Sequence, residues 1–114
     1  MGSPAAIQHD GRVIIRMWET PVKPGQTDSL VKYVLAEVWP GVTTAEGFLG
    51  GEILRSYNGG EERVLLLTRW KDAEAVENFL GPAWQAHQMT PVPDEEPHLA
   101  GTPFVDHWEQ IETA

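Results

Sequence analysis

Two segments of this chain, 13–19 (VIIRMWE) and 63–70 (RVLLLTRW), carry apolar side chains at both alternating positions of an extended backbone. Successive strand residues point to opposite faces, so these runs need apolar cover on two sides and read as central strands. A chain of 114 residues builds one domain with a modest core. Helices can cover one face of its sheet. A second copy of the same sheet is the simplest cover for the other, and most small oligomers are two-fold dimers.

The remaining elements fall around these two strands. Pro21, Pro24 and Gly25 end the first one. In 29–39 (SLVKYVLAEVW), Leu30, Val34 and Val38 recur every four residues beside Val31 and Leu35, which marks an amphipathic helix. Thr27 or Asp28 is its expected cap, and Pro40-Gly41 its expected stop. A second strand is expected over 48–57, with a bulge or bend at Gly50-Gly51. Asn58-Gly59 then signals a hairpin into the third strand. Asp72 caps a second helix through Val76, Phe79 and Leu80, with Glu74 and Glu77 favouring its dipole. Gly81-Pro82 interrupts it, and a short helical piece with Trp84, His87 and Met89 follows. Residues 90–103 hold four of the nine prolines and read as a loop that covers a pocket. A last strand starts at Phe104. The order is an α+β, ferredoxin-like βαββαβ fold with a four-stranded antiparallel sheet, over residues 12–114 behind a flexible tail, 1–11.

Composition removes several function classes. Seventeen Asp and Glu face eight Lys and Arg, a net charge of -9, which disfavours nucleic acid and anionic membranes as partners. No apolar run reaches the length of a membrane span, and 1–10 lacks the pattern of a secretory signal. A cytoplasmic location is the expectation. The chain has no cysteine, so disulfides and thiolate metal sites are excluded. No HxH or HExxH spacing occurs, and no metal site is expected. No phosphate loop, dinucleotide fingerprint or serine elbow is present.

Five tryptophans are the main chemical signal. Trp18, Trp70 and Trp84 stand where this fold can aim them into one cavity, to stack a planar ligand. His87 is the candidate general base, because its ordinary pKa lies near neutrality. Arg16 and Arg69, on the central strands, each need a buried acid or a substrate anion. His107, within DHWE, faces either the pocket or a subunit contact.

The run PVKPGQ after the first strand, then LLLTRWKDAEAVENF and a downstream AWQAHQ, resemble the antibiotic biosynthesis monooxygenase family of dimeric α/β barrels, over roughly residues 12 to 111. The resemblance implies a homodimer and a pocket between sheet and helices. Its members include cofactor-free oxygenases that turn anthrones into quinones, haem-degrading oxygenases and isomerases. Trp70 matches the strand-end Trp of the anthrone-oxidising group, whose Asn four residues earlier is replaced by Leu66 and whose helix Tyr is replaced by Val76. Trp18 stands where the haem-degrading group has an Asn and Phe79 where it has a Trp, while His87 matches its histidine. Two of three haem positions therefore depart.

The expectation is a cofactor-independent monooxygenase acting with molecular oxygen on an aromatic or polyketide-type molecule. His87 and Trp70 are its catalytic candidates, and Trp18, Trp84, Arg16 and Phe79 its substrate-binding ones. A non-oxidative isomerase or cyclase, and a non-catalytic binding or stress-response module, use the same pocket as alternatives.

Overall fold

The computed structural model describes residues 12–87 and 93–114, so the expected N-terminal tail lies outside the described residues. Strands β1 (Ile14–Pro21), β2 (Phe48–Arg55), β3 (Arg63–Trp70) and β4 (Phe104–Glu109) form one sheet in the order β2-β3-β1-β4, every neighbour antiparallel. From β1 to β2 the chain passes through α1 (Thr27–Tyr33), a π-helical turn (Val34–Val38) and α2 (Trp39–Thr43); α3 (Ala73–Leu80) follows β3. This is the ferredoxin-like arrangement, with β1 and β3 at its centre as their two-sided apolar character requires.

The faces of the sheet differ. Ile14, Arg16, Trp18 and Thr20 of β1, with Val64, Leu66, Thr68 and Trp70 of β3, are buried beneath the helices. On the opposite face Ile15, Met17, Leu65 and Leu67 are only half-buried. Beside them in register, Leu54, Phe104 and Trp108 are 41%, 45% and 56% exposed.

Two apolar clusters hold the helices down. Trp18, Leu30, Val34, Val64, Leu66 and Val105 belong to the first. Ile14, Val42, Trp70, Ala73 and Val76 belong to the second, and Val38 and Trp39 touch both.

Local chemistry explains most boundaries. The Asp72 carboxylate accepts from the Ala75 N–H at 2.8 Å, the expected cap of α3. The bulge at the start of β2 lies between Phe48 and Gly50. The hairpin closes at Ser56, whose N–H donates to the Arg63 carbonyl at 2.9 Å, so Asn58-Gly59 sits inside a longer loop.

Two helix expectations need correction. Neither Thr27 nor Asp28 caps α1. The Thr27 hydroxyl donates to Glu62 Oε1 at 2.6 Å and the Gly25 N–H to Glu62 Oε2 at 2.7 Å. These bonds, Thr27 first, hold the Glu62 carboxyl below its ordinary range. Nor does Pro40-Gly41 end the helical path. Proline has no N–H to give the carbonyl four residues back. The backbone instead widens by one residue, Trp39 N–H donating to the Val34 carbonyl, and continues to Thr43.

Candidate functional site

One row of residues crosses the sheet where the two clusters meet. By register Gly51 of β2 lies beside Thr68 of β3, Thr68 beside Arg16 of β1, and Arg16 beside His107 of β4. Trp18 and Leu66 flank the row on one side, Ile14 and Trp70 on the other. Above it the helices leave a cleft of about 470 Å³, within the usual range for small-molecule sites.

Sheet residues make the buried floor: Arg16, Trp18, Leu66, Thr68 and Trp70. The walls come from Tyr33, Glu37, Val38 and Trp39 of the first helical path, Phe79 of α3, and Glu95 of the loop before β4. Gly51 is required for this shape. A Cβ there would stand 2.6 Å from the Leu67 carbonyl oxygen and 3.2 Å from the Trp39 ring, so only glycine lets that indole lie against the sheet.

The aromatic groups are fixed by one another. Trp70 meets Phe48 edge-on at 5.7 Å and Phe79 at 5.3 Å, in the range of favourable ring pairs. Its indole N–H donates to Thr68 Oγ1 at 2.9 Å, so both buried polar groups are satisfied inside the floor.

Arg16 is the charged group of the floor. Its Nη1 lies 2.9 Å from His107 Nε2 and donates to the Trp84 carbonyl at 3.2 Å. The Trp84 indole packs edge-on against the His107 ring at 4.7 Å. Burial lowers the Arg16 guanidinium to about 10, still cationic at neutral pH. Burial first, then Arg16, pushes the His107 imidazole down to about 4. A neutral imidazole offers a lone pair to the guanidinium N–H, so Nε2 is the acceptor and the ring proton sits on Nδ1.

The structure sorts the sequence candidates. Arg16, Trp18, Trp70 and Phe79 all line the cleft. Trp84 is not among the cleft-lining residues; it packs against the second apolar cluster and holds Arg16 and His107. His87 is placed elsewhere. Its ring stacks on Phe104 at 6.0 Å and its Nδ1 lies 3.3 Å from Asp106 Oδ1, both residues of the opposite sheet face. Gly81, at φ 92°, ends α3 and takes the chain off the helical phase that would have carried His87 over the sheet. A turn occupies 82–85 where a further helical piece was expected, and Met89 lies outside the described residues. Of the loop expected to cover a pocket, Glu95 reaches the cleft wall, while 90–92 fall outside the described residues. Arg69 pairs with Glu52 at 3.4 Å, away from the cleft.

Thr68, Tyr33, Glu37 and Trp39 were not singled out as site residues. Their side chains meet only once register and the π turn are known. Among the described residues no three His, Asp or Glu side chains converge as metal ligands, and no helix is long and apolar enough to cross a membrane.

Several solved structures share the fold. A monooxygenase from the gene ActVA-Orf6 of Streptomyces coelicolor, in complex with nanaomycin D, is 18% identical with a TM-score of 0.68, over 90% of this chain and 91% of that one. The haem-degrader MhuD of Mycobacterium tuberculosis, with two haems in its active site, is 26% identical with a TM-score of 0.65, over 89% and 98%. A conserved protein from Methanosarcina mazei is 13% identical with a TM-score of 0.68, over 89% and 95%. No curated protein matches the sequence. The family model for antibiotic biosynthesis monooxygenase matches residues 12–92, most of the chain, and the protein therefore belongs to the antibiotic biosynthesis monooxygenase family.

Proposed function

We propose that the cleft binds a planar aromatic or polyketide-type molecule and that the protein oxidises it with molecular oxygen, without metal or flavin. The observation that carries this reading is the cleft itself. Five aromatic side chains line it, Trp18 and Trp70 in the floor and Tyr33, Trp39 and Phe79 in the walls, and among the described lining residues Arg16 is the one cation. Flat rings stack a flat ligand, and a preorganised cation stabilises negative charge that develops on it. The Streptomyces neighbour, a monooxygenase holding nanaomycin D, is in keeping with such a ligand.

The chemistry balances without a further reductant. An electron-rich methylene loses a proton, and the carbanion gives an electron to oxygen. Recombination forms a carbon–oxygen bond. Loss of water leaves a carbonyl, so one oxygen atom enters the product and the other leaves with both hydrogens. Trp18 and Trp70 of the floor and Phe79 of the wall shape the binding surface, and Arg16 faces the developing oxyanion. His87 sits at the outer edge of β4 and does not line the cleft, so Glu37 and Glu95 of the cleft wall are the better placed proton acceptors.

Haem fits this cleft poorly. Its described lining contains no histidine, cysteine or methionine, its one tyrosine, Tyr33, stands on the outer wall, and the histidine that resembles that of the haem-degraders lies at the β4 edge against Phe104. We also assign the open sheet face, with Leu54, Phe104 and Trp108 exposed, to pairing with a second copy.

Tryptophan-fluorescence titration with an anthrone, a naphthol, a flavonoid, haemin and a fatty acid, followed by oxygen-electrode readings, tests the proposal. Quenching by a planar phenol with oxygen uptake supports it. Quenching without uptake moves the reading to an isomerase, cyclase or carrier. No quenching by any of them refutes the binding site.

A further inference from the structure

The cleft is polarised along its depth. Its buried end carries Arg16, gripped through Nη1 by His107 Nε2 at 2.9 Å and by the Trp84 carbonyl at 3.2 Å. Its outer wall carries Glu37, which is exposed, and Glu95 and Tyr33, which are half-buried. The acidity of that rim registers on Tyr33, whose hydroxyl is pushed up by desolvation and then by Glu95, Asp94 and Glu37. Trp18, Trp39, Trp70 and Phe79 lie between the two ends.

This layout discriminates by charge. A molecule with a permanent negative charge meets carboxylates before it reaches the guanidinium, so repulsion at the rim offsets attraction at the floor. A neutral planar molecule passes the rim and stacks. If it bears an acidic hydroxyl, ionisation beside Arg16 adds a charge pair inside a low-dielectric cleft.

We propose that the cleft selects neutral planar aromatics carrying one ionisable hydroxyl, bound as the oxyanion toward Arg16, with His107 as the positioning residue that aims the guanidinium. The inference rests on the reading of the cleft as an aromatic small-molecule site. The only bond change is loss of the hydroxyl proton, which passes to water directly or through a rim carboxylate. The titratable groups that bear on the cleft are Arg16 of β1 with His107 of β4 beside it at the buried end, and Tyr33 and Glu37 of the first helical path and Glu95 of the loop at the outer wall.

Three probes of one ring system test this at neutral to mildly alkaline pH: 1-naphthol, which is uncharged at neutral pH when free and whose naphtholate has its own near-ultraviolet band, 1-naphthoate, and naphthalene. Binding is followed by tryptophan fluorescence and ionisation by absorbance. The naphthol is expected to bind about tenfold tighter than the naphthoate, and its bound hydroxyl to be about tenfold more acidic than the free one. Arg16→Met should abolish the added acidity and Arg16→Lys should retain most of it. His107→Phe keeps a ring against Trp84 but removes the acceptor, and should reduce the acidification. Glu37→Gln with Glu95→Gln should raise naphthoate affinity.

If Arg16→Met fails to fold, Arg16→Lys and His107→Phe still decide the matter. Unchanged ionisation in His107→Phe would overturn the positioning role. If all three probes bind and the bound naphthol titrates like the free one, the proposal is overturned while the aromatic site stands. If naphthoate binds as tightly as the naphthol, the rim does not select. If no probe binds the wild-type protein, the aromatic site fails and this inference with it.

Discussion

The hydrogen bond between the Trp70 indole and Thr68 is internal to the cleft floor, and its contribution can be isolated. Both residues are buried, Trp70 to 1% exposure and Thr68 to 5%, and the bond is 2.9 Å long. Thr68→Val preserves shape but leaves a buried N–H without its acceptor, which costs about 2 kcal/mol. Trp70→Phe strands the Thr68 hydroxyl and removes part of a ring packed on Phe48 and Phe79, for about 3 kcal/mol. In the double variant the bond is lost once and no partner is stranded. Its cost should fall short of the summed singles by about 1 kcal/mol. Thermal unfolding at fixed protein concentration reads this directly, since about 4 °C in Tm corresponds to 1 kcal/mol for a domain of this size. Thr68→Val should also weaken ligand quenching, because it frees the indole that forms the floor. The reasoning is refuted if Thr68→Val lies within about 0.5 kcal/mol of wild type, or if the two substitutions are additive to that margin.

Three other outcomes follow from the same geometry. Gly51→Ala drives a Cβ to 2.6 Å from the Leu67 carbonyl oxygen, so it should cost about 1–3 kcal/mol in urea unfolding and displace Trp39 from the cleft wall. Trp108→Glu, on the open sheet face, should shift light scattering at micromolar concentration from dimer to monomer; a wild-type monomer would remove the pairing assignment. The His107 pKa is lowered to about 4 from its ordinary 6.5, so the unfolded chain binds this proton more readily. Stability from the neutral ring is complete above about 6.5 and lost as pH falls toward about 4. His107→Gln should flatten that part of the pH–stability curve, and an unchanged curve would show that the ring does not contribute.

Much of the architecture is legible in the residues because it depends on short-range pattern. The two-sided runs 13–19 and 63–70 demand central strands, and β1 and β3 hold those places. Asp72 announces the start of α3 through a bond three residues long. Pro40 misleads because a missing N–H can be absorbed by a π turn as well as by a helix end. The site is less legible because it is built from register. Arg16 and His107 are 91 positions apart and meet only because β1 pairs β4 as it does. His87 is placed away from the cleft for a related reason. Its position depends on the path after Gly81, and that path runs along the outer edge of β4, with the ring beside Phe104 and Asp106.

The most direct test of the oxygenase assignment is isotopic. Protein treated with chelator is given an anthrone under heavy-isotope dioxygen, and the product is weighed by mass spectrometry. The account predicts one heavy oxygen atom per product and none when the label is in the water instead. Product formed equally well under argon, or carrying oxygen from water alone, would contradict it.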